Sequence, residues 1–252
     1  ASADELLMSN GSRLVGTLIS AGPEGVVFDT PFAGEIKVAQ GNIVRIISDK
    51  QVNVMLQDGT IYRNQHIAAD DEALVMISSD QTAVRFDIAE MKLLNPEPWK
   101  MGDGYKWSGE INTAMKSERG NTDTDEFDSG FESVWRSLED RFTTRGNWEI
   151  DETDGVKNKD VWNLRGKYDR FREHKTDDYY GVQLAFKKDE FADLDLRTTM
   201  GPYLGRQFYE SGLLSLAGEV GVVYVKEEFE LAEDHDFWGG SWEMRATSYI
   251  IP

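Results

Sequence analysis

The clearest pattern in the chain is a two-residue alternation of apolar and charged side chains in residues 160–171, DVWNLRGKYDRF. Trp162 and Leu164 fall on one side of this stretch, while Arg165 and Lys167 fall on the other. Successive side chains of a β-strand point to opposite faces of its sheet. The pattern therefore predicts a strand with one apolar, aromatic face and one densely charged face.

The same alternation recurs in eight strand-length segments within residues 105–252. A period of two indicates strands and not helices. Segments of about 10–13 residues match the length of a tilted membrane strand, and the short connections between them favour an antiparallel meander. The sequence predicts an all-β fold here, an up-and-down transmembrane β-barrel of at least eight strands.

Large aromatic side chains near the strand ends distinguish this barrel from a soluble one, in which the faces would be swapped. Aromatic girdles lie at the two membrane–water interfaces because an amphipathic ring suits the headgroup level. The predicted girdle consists of Trp107, Phe127, Trp135, Trp148, Trp162, Phe186, Tyr224 and Trp238.

The predicted connections also alternate in length. Those at residues 136–138 and 205–212 are short, and we expect them on the periplasmic side. Those at 151–160 and 226–236 are longer and acidic, and we expect them outside. Short periplasmic turns with longer outer loops are typical of outer-membrane barrels.

The charged face is predicted to line the barrel interior, where opposite charges have to pair. The candidate interior residues are Arg141, Arg145, Glu149, Arg165, Lys167, Asp169, Arg197, Glu219, Glu243 and Arg245. We expect Arg165 and Lys167 to pair with Glu139, Glu149 or Asp169. These residues would fill a barrel of eight strands, whereas they would line a narrow channel in a wider one.

Residues 5–95 form an internal repeat with a period of 48 and no gaps. Asn-Gly at 10–11 recurs as Asp-Gly at 58–59, and both dipeptides are strong hairpin signals. The pattern resembles small SH3-like or Sm-like barrels, so residues 1–95 are predicted to be a tandem β-module. We expect this module to serve protein contact or stability.

A linker containing Pro96 and Pro98 separates the two parts. Proline removes a backbone donor and favours extended chain, which interrupts a β-ladder. The predicted layout is a tandem module at 1–95, a linker at 96–104 and a barrel at 105–252.

The amino-acid composition argues against several classes of function and structure. A net charge of −19 argues against nucleic acid as a partner, because phosphate binding needs clustered Lys and Arg. No apolar run reaches the ~18 residues that a spanning helix needs. The absence of cysteine excludes disulfides and cysteine-based metal sites. No signal peptide is visible, and Ala1-Ser2-Ala3 is interpreted as a trace near a cleaved export signal.

One group of residues suggests catalysis. Asp234, His235 and Asp236 lie on the predicted outer edge, where a histidine between carboxylates could activate water. No serine stands nearby as a partner, and a solvated acidic loop explains the same residues.

Metal and cofactor sites are not predicted. The acidic stretches at 151–154 and 227–236 offer oxygen ligands for Ca²⁺ but lack the spacing of an EF-hand. Neither His66 nor His174 has metal-ligand spacing to another histidine.

A family resemblance rests on WSGE at 107–110 and SERGNTDT at 117–124, with the Gly-Asn-Thr-Asp turn as its most specific piece. DRF at 169–171 and DEF at 189–191 add to it. Over residues 103–250 the chain resembles an uncharacterised family of salt-induced outer-membrane proteins. The resemblance implies a bacterial outer-membrane barrel without a defined activity, so no functional residues can be carried over.

Family barrels have more than eight strands and usually end on an aromatic residue, whereas this chain ends Ile-Ile-Pro. Either this chain is part of a larger barrel or the barrel closes with eight strands; we expect further C-terminal strands, and therefore a total of at least eight.

The sequence thus predicts a structural or passive-transport protein of the bacterial outer membrane. Its partners would be outer-membrane lipid and a periplasmic protein bound through residues 5–95. A rim-sited hydrolase and a soluble barrel for an apolar ligand are the alternatives.

Overall fold

The computed structural model describes residues 3–22, 25–69, 74–77, 83–172, 175–210 and 214–248. Within these ranges the protein is all-β, as predicted, with antiparallel strands in two sheets and short 3₁₀ turns between some of them. None of the helical turns in these ranges has the length and apolar character of a membrane-spanning helix. The chain divides into two compact units, residues 1–101 and 102–252.

The strands of the first unit belong to one ten-stranded sheet. They are β1 (Asp4–Met8), β2 (Arg13–Gly22), β3 (Gly25–Thr30), β4 (Gly34–Val38), β5 (Ile43–Ile47), β6 (Val52–Leu56), β7 (Ile61–Ala69), β8 (Leu74–Ile77), β9 (Ala83–Phe86) and β10 (Met91–Leu94). The sheet runs β4-β3-β2-β10-β6-β7-β8-β9, while β1 pairs with β2 and β5.

The elements of the first half recur 48 residues later. β6 follows β1 at this offset, and β10 follows β5. The two hairpins also match in detail, because Gly11 (φ 83°) and Gly59 (φ 90°) both adopt a positive φ that suits glycine. Each glycine donates its N–H to the carbonyl three residues earlier, at Met8 and Leu56, over 2.9 and 3.0 Å.

The core of the first unit is formed by apolar side chains from both halves of the repeat. Leu6, Phe28, Ile46, Val54 and Leu94 are completely buried there. Burial of side chains of this size stabilises a fold by about 1.5–3 kcal/mol each.

Ile46→Val is expected to destabilise the first unit by about 0.5–1.5 kcal/mol, because it removes one buried methylene group. Hydrogen exchange of the β1 and β5 amides in the full chain measures the change in opening free energy. Val44→Ala is the control, since Val44 lies two residues away and is exposed. Equal effects of the two substitutions would contradict the assignment of this core.

The strands of the second unit form one eight-stranded sheet in which consecutive strands pair. They are β11 (Lys106–Glu118), β12 (Thr124–Arg136), β13 (Asp140–Thr153), β14 (Val156–Arg172), β15 (Lys175–Asp189), β16 (Leu194–Glu210), β17 (Leu214–Phe229) and β18 (His235–Ser248). Among these strands β11 and β18 do not pair with each other, so no closed barrel is found.

The long connection predicted at 151–160 is wrong, and the one predicted at 226–236 is shorter than expected, because β17 ends at Phe229 and β18 begins at His235. β13 and β14 continue through the first region and leave a two-residue turn, Asp154-Gly155, in which both residues have positive φ (49° and 73°). Such a turn matches the twist of the flanking strands and makes a tight hairpin. The acidic residues there extend the strands instead of forming a loop.

The sheet is strongly curved. Arg165 Nη1 of β14 contacts Glu243 Oε2 of β18 at 3.1 Å, although three strands lie between them in the sheet order. Lys167 of β14 likewise pairs with Glu219 of β17. Because these contacts cross the concave side, we call that side the inner face and the opposite side the outer face.

Candidate functional site: the inner face of the second sheet

A continuous set of polar and aromatic side chains crosses the inner face near the turn at Ser137. We call this set the polar layer. Its members come from seven of the eight strands. They are Arg136, Arg141, Lys167, Asp169, Phe171, Tyr179, Tyr203, Glu219 and Glu243.

Asp169 is the centre of the polar layer and is completely buried. Its carboxylate accepts a hydrogen bond from Arg141 Nε at 2.6 Å and another from the Tyr203 hydroxyl. A buried carboxylate is tolerated only when it is paired and hydrogen-bonded, and both conditions are met here. Asp169 therefore fixes side chains from β13 and β16 against β14.

Lys167 links the polar layer to the last two strands. Its ammonium pairs with Glu219, which also accepts a hydrogen bond from the Tyr179 hydroxyl at 2.9 Å. Glu243 Oε2 lies 3.7 Å from the same ammonium. Glu219 of β17 and Glu243 of β18 thus contact the Lys167 ammonium of β14 directly, and Tyr179 of β15 is linked to it through Glu219.

The end of the polar layer nearest Ser137 is closed by stacked cations and rings. The Arg136 guanidinium lies 3.3 Å from the centre of the Phe171 ring, and Arg141 lies 5.0 Å from that of Tyr179. Phe171 and Tyr179 contact each other with ring centres 5.3 Å apart. Guanidinium groups are attracted to ring faces at these distances.

The partners expected for Arg165 and Lys167 are wrong. Both contact Glu243, and Lys167 also pairs with Glu219. Of the expected partners, Asp169 bonds to Arg141. Glu149 and Glu139 bond to Lys159 and Arg170 on the neighbouring strand, at 2.5 and 2.6 Å.

Glycines on the inner face make room for the tyrosines of the polar layer. A Cβ atom added to Gly205 would lie 2.2 Å from the Tyr179 ring, and one added to Gly181 would lie 2.6 Å from Tyr203. The rings therefore lie flat over strand positions that have no side chain. This signal was present in the sequence, as glycines on the charged side of β15 and β16, but sequence reasoning missed it.

Gly205→Ala is expected to destabilise the second unit by about 1–3 kcal/mol, because the new methyl group overlaps the Tyr179 ring. Gly166→Ala is the matched control, since nothing lies within 4 Å of a Cβ atom at Gly166. Urea unfolding of the two variants under the same conditions measures the difference. Equal stability of both would contradict the close packing of Tyr179.

A polar cavity of about 560 Å³ lies beside the polar layer, toward the turn at Asp154. Its lining includes Glu132, Arg145, Arg165, Lys187 and Arg197. Arg145 pairs with Glu132, and Arg197 pairs with Glu227. Arg245, the last of the predicted interior charges, bonds to Glu243 at 2.8 Å.

The eight aromatic residues of the predicted girdle all lie on the outer face. Trp148 and Trp162 are directly opposite each other on β13 and β14. Trp107 and Trp135 form a further pair, with ring centres 6.4 Å apart. Phe127 packs against Trp148, Tyr224 packs against Trp238, and Phe186 lies opposite Leu164.

Asp140 interrupts the apolar side of β13, but it lies at the strand's end beside the Ser137 turn. Its carboxylate accepts a hydrogen bond from Ser137 Oγ at 2.6 Å and lies 3.7 Å from Arg170. Tyr105, just before β11, also bonds to this carboxylate, and that bond raises the pKa of the Tyr105 hydroxyl. Asp140 is thus part of a polar cluster at the border of the outer face.

The structure does not bring the candidate catalytic residues together. His235 Nε2 lies 2.7 Å from Glu227 Oε2 on the inner face, whereas Asp236 is on the outer face. Asp234 accepts a hydrogen bond from the backbone N–H of Phe229. No nucleophile joins the His235–Glu227 pair in these contacts.

Metal-ligand groups are also missing from the part of the chain that the structure describes. No three His, Asp or Glu side chains there are placed to hold a metal ion. His66 lies within β7, and His174 is outside the described residues.

These features define a class of protein: an all-β chain whose C-terminal sheet is a curved antiparallel meander with an apolar outer face and a charged inner face. Residues 111–252 match the family described as "Protein of unknown function, DUF481", and the chain belongs to that family. The match confirms the expected membership of an uncharacterised family, while salt induction and outer-membrane location stay predictions. Neither the curated proteins nor the solved structures gave a match.

Proposed function

We propose that residues 102–252 form an outer-membrane β-barrel of structural or passive-transport type. The observation that carries the proposal is the distribution of side chains in the curved sheet. Asp169 and Lys167 are buried on the inner face, while Leu164, Leu184 and large aromatic residues are exposed on the outer face. Water-soluble proteins bury such apolar side chains, and a large exposed apolar surface marks a contact with lipid or another protein.

The dimensions of the apolar surface support lipid as the contact. On β14 it extends from Trp162 to Tyr168, between Asp160 and Arg170. On β17 it extends over Leu216–Tyr224. These stretches correspond to roughly 20–26 Å along the strands, or about 15–20 Å along the membrane normal at a tilt of about 40°, which approaches the apolar band of about 25 Å on outer-membrane barrels.

The proposal requires the outer edges of β11 and β18 to be paired within the membrane. Lipid offers no hydrogen-bond partner to an open strand edge, so only closed barrels span as strands. We propose that these two strand edges pair with each other or with further strands.

We propose that residues 1–95 are the periplasmic interaction module, built from two small SH3-like copies. Support comes from the recurrence of its elements at an offset of 48 residues and from Phe32. This side chain is 99% exposed at the turn between β3 and β4. Aromatic side chains are among the residues that contribute most to the binding energy of protein interfaces.

The two alternatives lack comparable support. A soluble barrel for an apolar ligand needs an apolar interior, whereas the inner face carries the polar layer. A rim-sited hydrolase needs Asp234 and Asp236 beside His235, and the structure separates them.

Membrane extraction tests the proposal. We expect the chain, produced in a Gram-negative host with an export signal, to leave the outer-membrane fraction only with detergent. Its mobility in a denaturing gel should change on heating, as folded barrels unfold. A folded monomer that is soluble without detergent would refute the proposal.

A further inference from the structure

The polar layer determines whether the proposed barrel can conduct ions. This inference rests on the proposed function. Seven of the eight strands contribute a side chain to it, from Arg136 on β12 to Glu243 on β18. In a barrel closed by these eight strands, a water-filled path would have to pass between these side chains.

The contacts inside the layer leave little space for a path. Lys167 and Glu219 reach each other from β14 and β17, and both side chains are less than a tenth exposed. Tyr203 reaches Asp169 from β16, over the glycine at position 181. A charged pair this deeply buried is held in place by a large penalty for separation, because either charge alone would be left without a partner.

The two sides of the polar layer differ. Toward the Asp154 turn lies the polar cavity of about 560 Å³, lined by Asn147, Asn163, Arg165 and further charged side chains, and bordered also by the apolar residues Phe131, Leu164 and Phe186. Toward the Ser137 turn, Arg136 and Arg141 stack on Phe171 and Tyr179. The inner face therefore has an open polar cavity on the Asp154 side of the layer and closely packed side chains on the Ser137 side.

We propose that the polar layer makes the inner face a one-ended pocket instead of a pore. Small hydrophilic solutes reach the pocket from the Asp154 end and leave by the same end. The lining offers cations, carboxylates and amide groups, so the pocket suits solutes that both donate and accept hydrogen bonds. The barrel conducts ions only when the layer is removed.

Planar-bilayer recording tests this proposal with the full chain. The wild type is expected to insert without conductance steps. The double variant Lys167→Ser/Glu219→Ser removes one charge of each sign and should produce discrete steps. Lys188→Ser/Asp195→Ser is the control, because this exposed pair lies outside the layer and its loss should leave the bilayer silent.

Thiol labelling tests the same proposal without disturbing the layer. The chain contains no cysteine, so Asn163→Cys introduces the only thiol into the polar cavity. β11 begins at the Ser137 end, with Lys106 opposite Arg136. A protease site inserted at Gly102–Gly104, directly before β11, is therefore cut by added protease only in vesicles whose Ser137 end faces out.

A membrane-impermeant methanethiosulfonate is expected to label Asn163→Cys in protease-resistant vesicles and not in protease-sensitive ones. Adding Lys167→Ser/Glu219→Ser should allow labelling in both. Conductance by the wild type, or labelling of Asn163→Cys from both sides, would overturn the one-ended pocket. Failure of the wild type to insert into vesicles, measured by flotation, would instead refute the proposed function.

Discussion

Leu184→Arg/Val220→Arg is expected to abolish membrane insertion. Leu184 and Val220 lie midway along the apolar stretches of β15 and β17 on the outer face, and they are 41% and 63% exposed. An arginine at the middle of the lipid-facing band costs about 2–4 kcal/mol, so two on different strands cost about 4–8 kcal/mol. This exceeds half of the stability of many folded proteins.

The measurement is flotation with lipid vesicles together with the heat-dependent gel shift. Leu184→Ala/Val220→Ala is the control, because it shortens the same side chains without adding charge, and it should still insert. A soluble outer face would respond in the opposite direction, since arginine there improves solubility and leaves the fold intact. A soluble, folded arginine variant would therefore rule out lipid as the contact.

Asp169→Ala is expected to destabilise the second unit by about 3–5 kcal/mol. The substitution leaves the Arg141 guanidinium, which is 15% exposed, without its carboxylate and removes the acceptor of the Tyr203 hydroxyl. Removing one partner of a buried ion pair costs this much because the remaining charge stays buried and uncompensated. Urea unfolding in detergent, followed by the gel shift, measures the change.

Two controls accompany Asp169→Ala. Asp195→Ala breaks an exposed pair with Lys188 and should cost at most about 1 kcal/mol. Asp169→Ala/Arg141→Leu removes both charges and should recover most of the lost stability. If Asp169→Ala cost no more than Asp195→Ala, the polar layer would not be the structural centre of this sheet.

Asp169 and Asp195 differ strongly in burial, and the sequence alone does not predict this difference. Both lie in strands of the second unit, and both have a cation nearby in space. Their different burial follows from the curvature of the sheet, which no single strand reveals. The same holds for His235, whose real neighbour is Glu227 on the adjacent strand and not the aspartates beside it in the chain.

The sequence by itself determined the features that depend on local geometry. The all-β class followed from the two-residue period, because the side-chain alternation of a strand is independent of its neighbours. The separation of Trp162 and Leu164 from Arg165 and Lys167 followed in the same way.

Only the tertiary structure decided the contacts across the sheet. Glu243 meets Arg165 because the twist and bend accumulated over four strand pairs bring β18 over β14. Tyr179 fits over Gly205 because the two positions are paired in register, which depends on turns at both strand ends. Curvature and register are sums over many residue pairs, so a small difference in each changes which side chains meet.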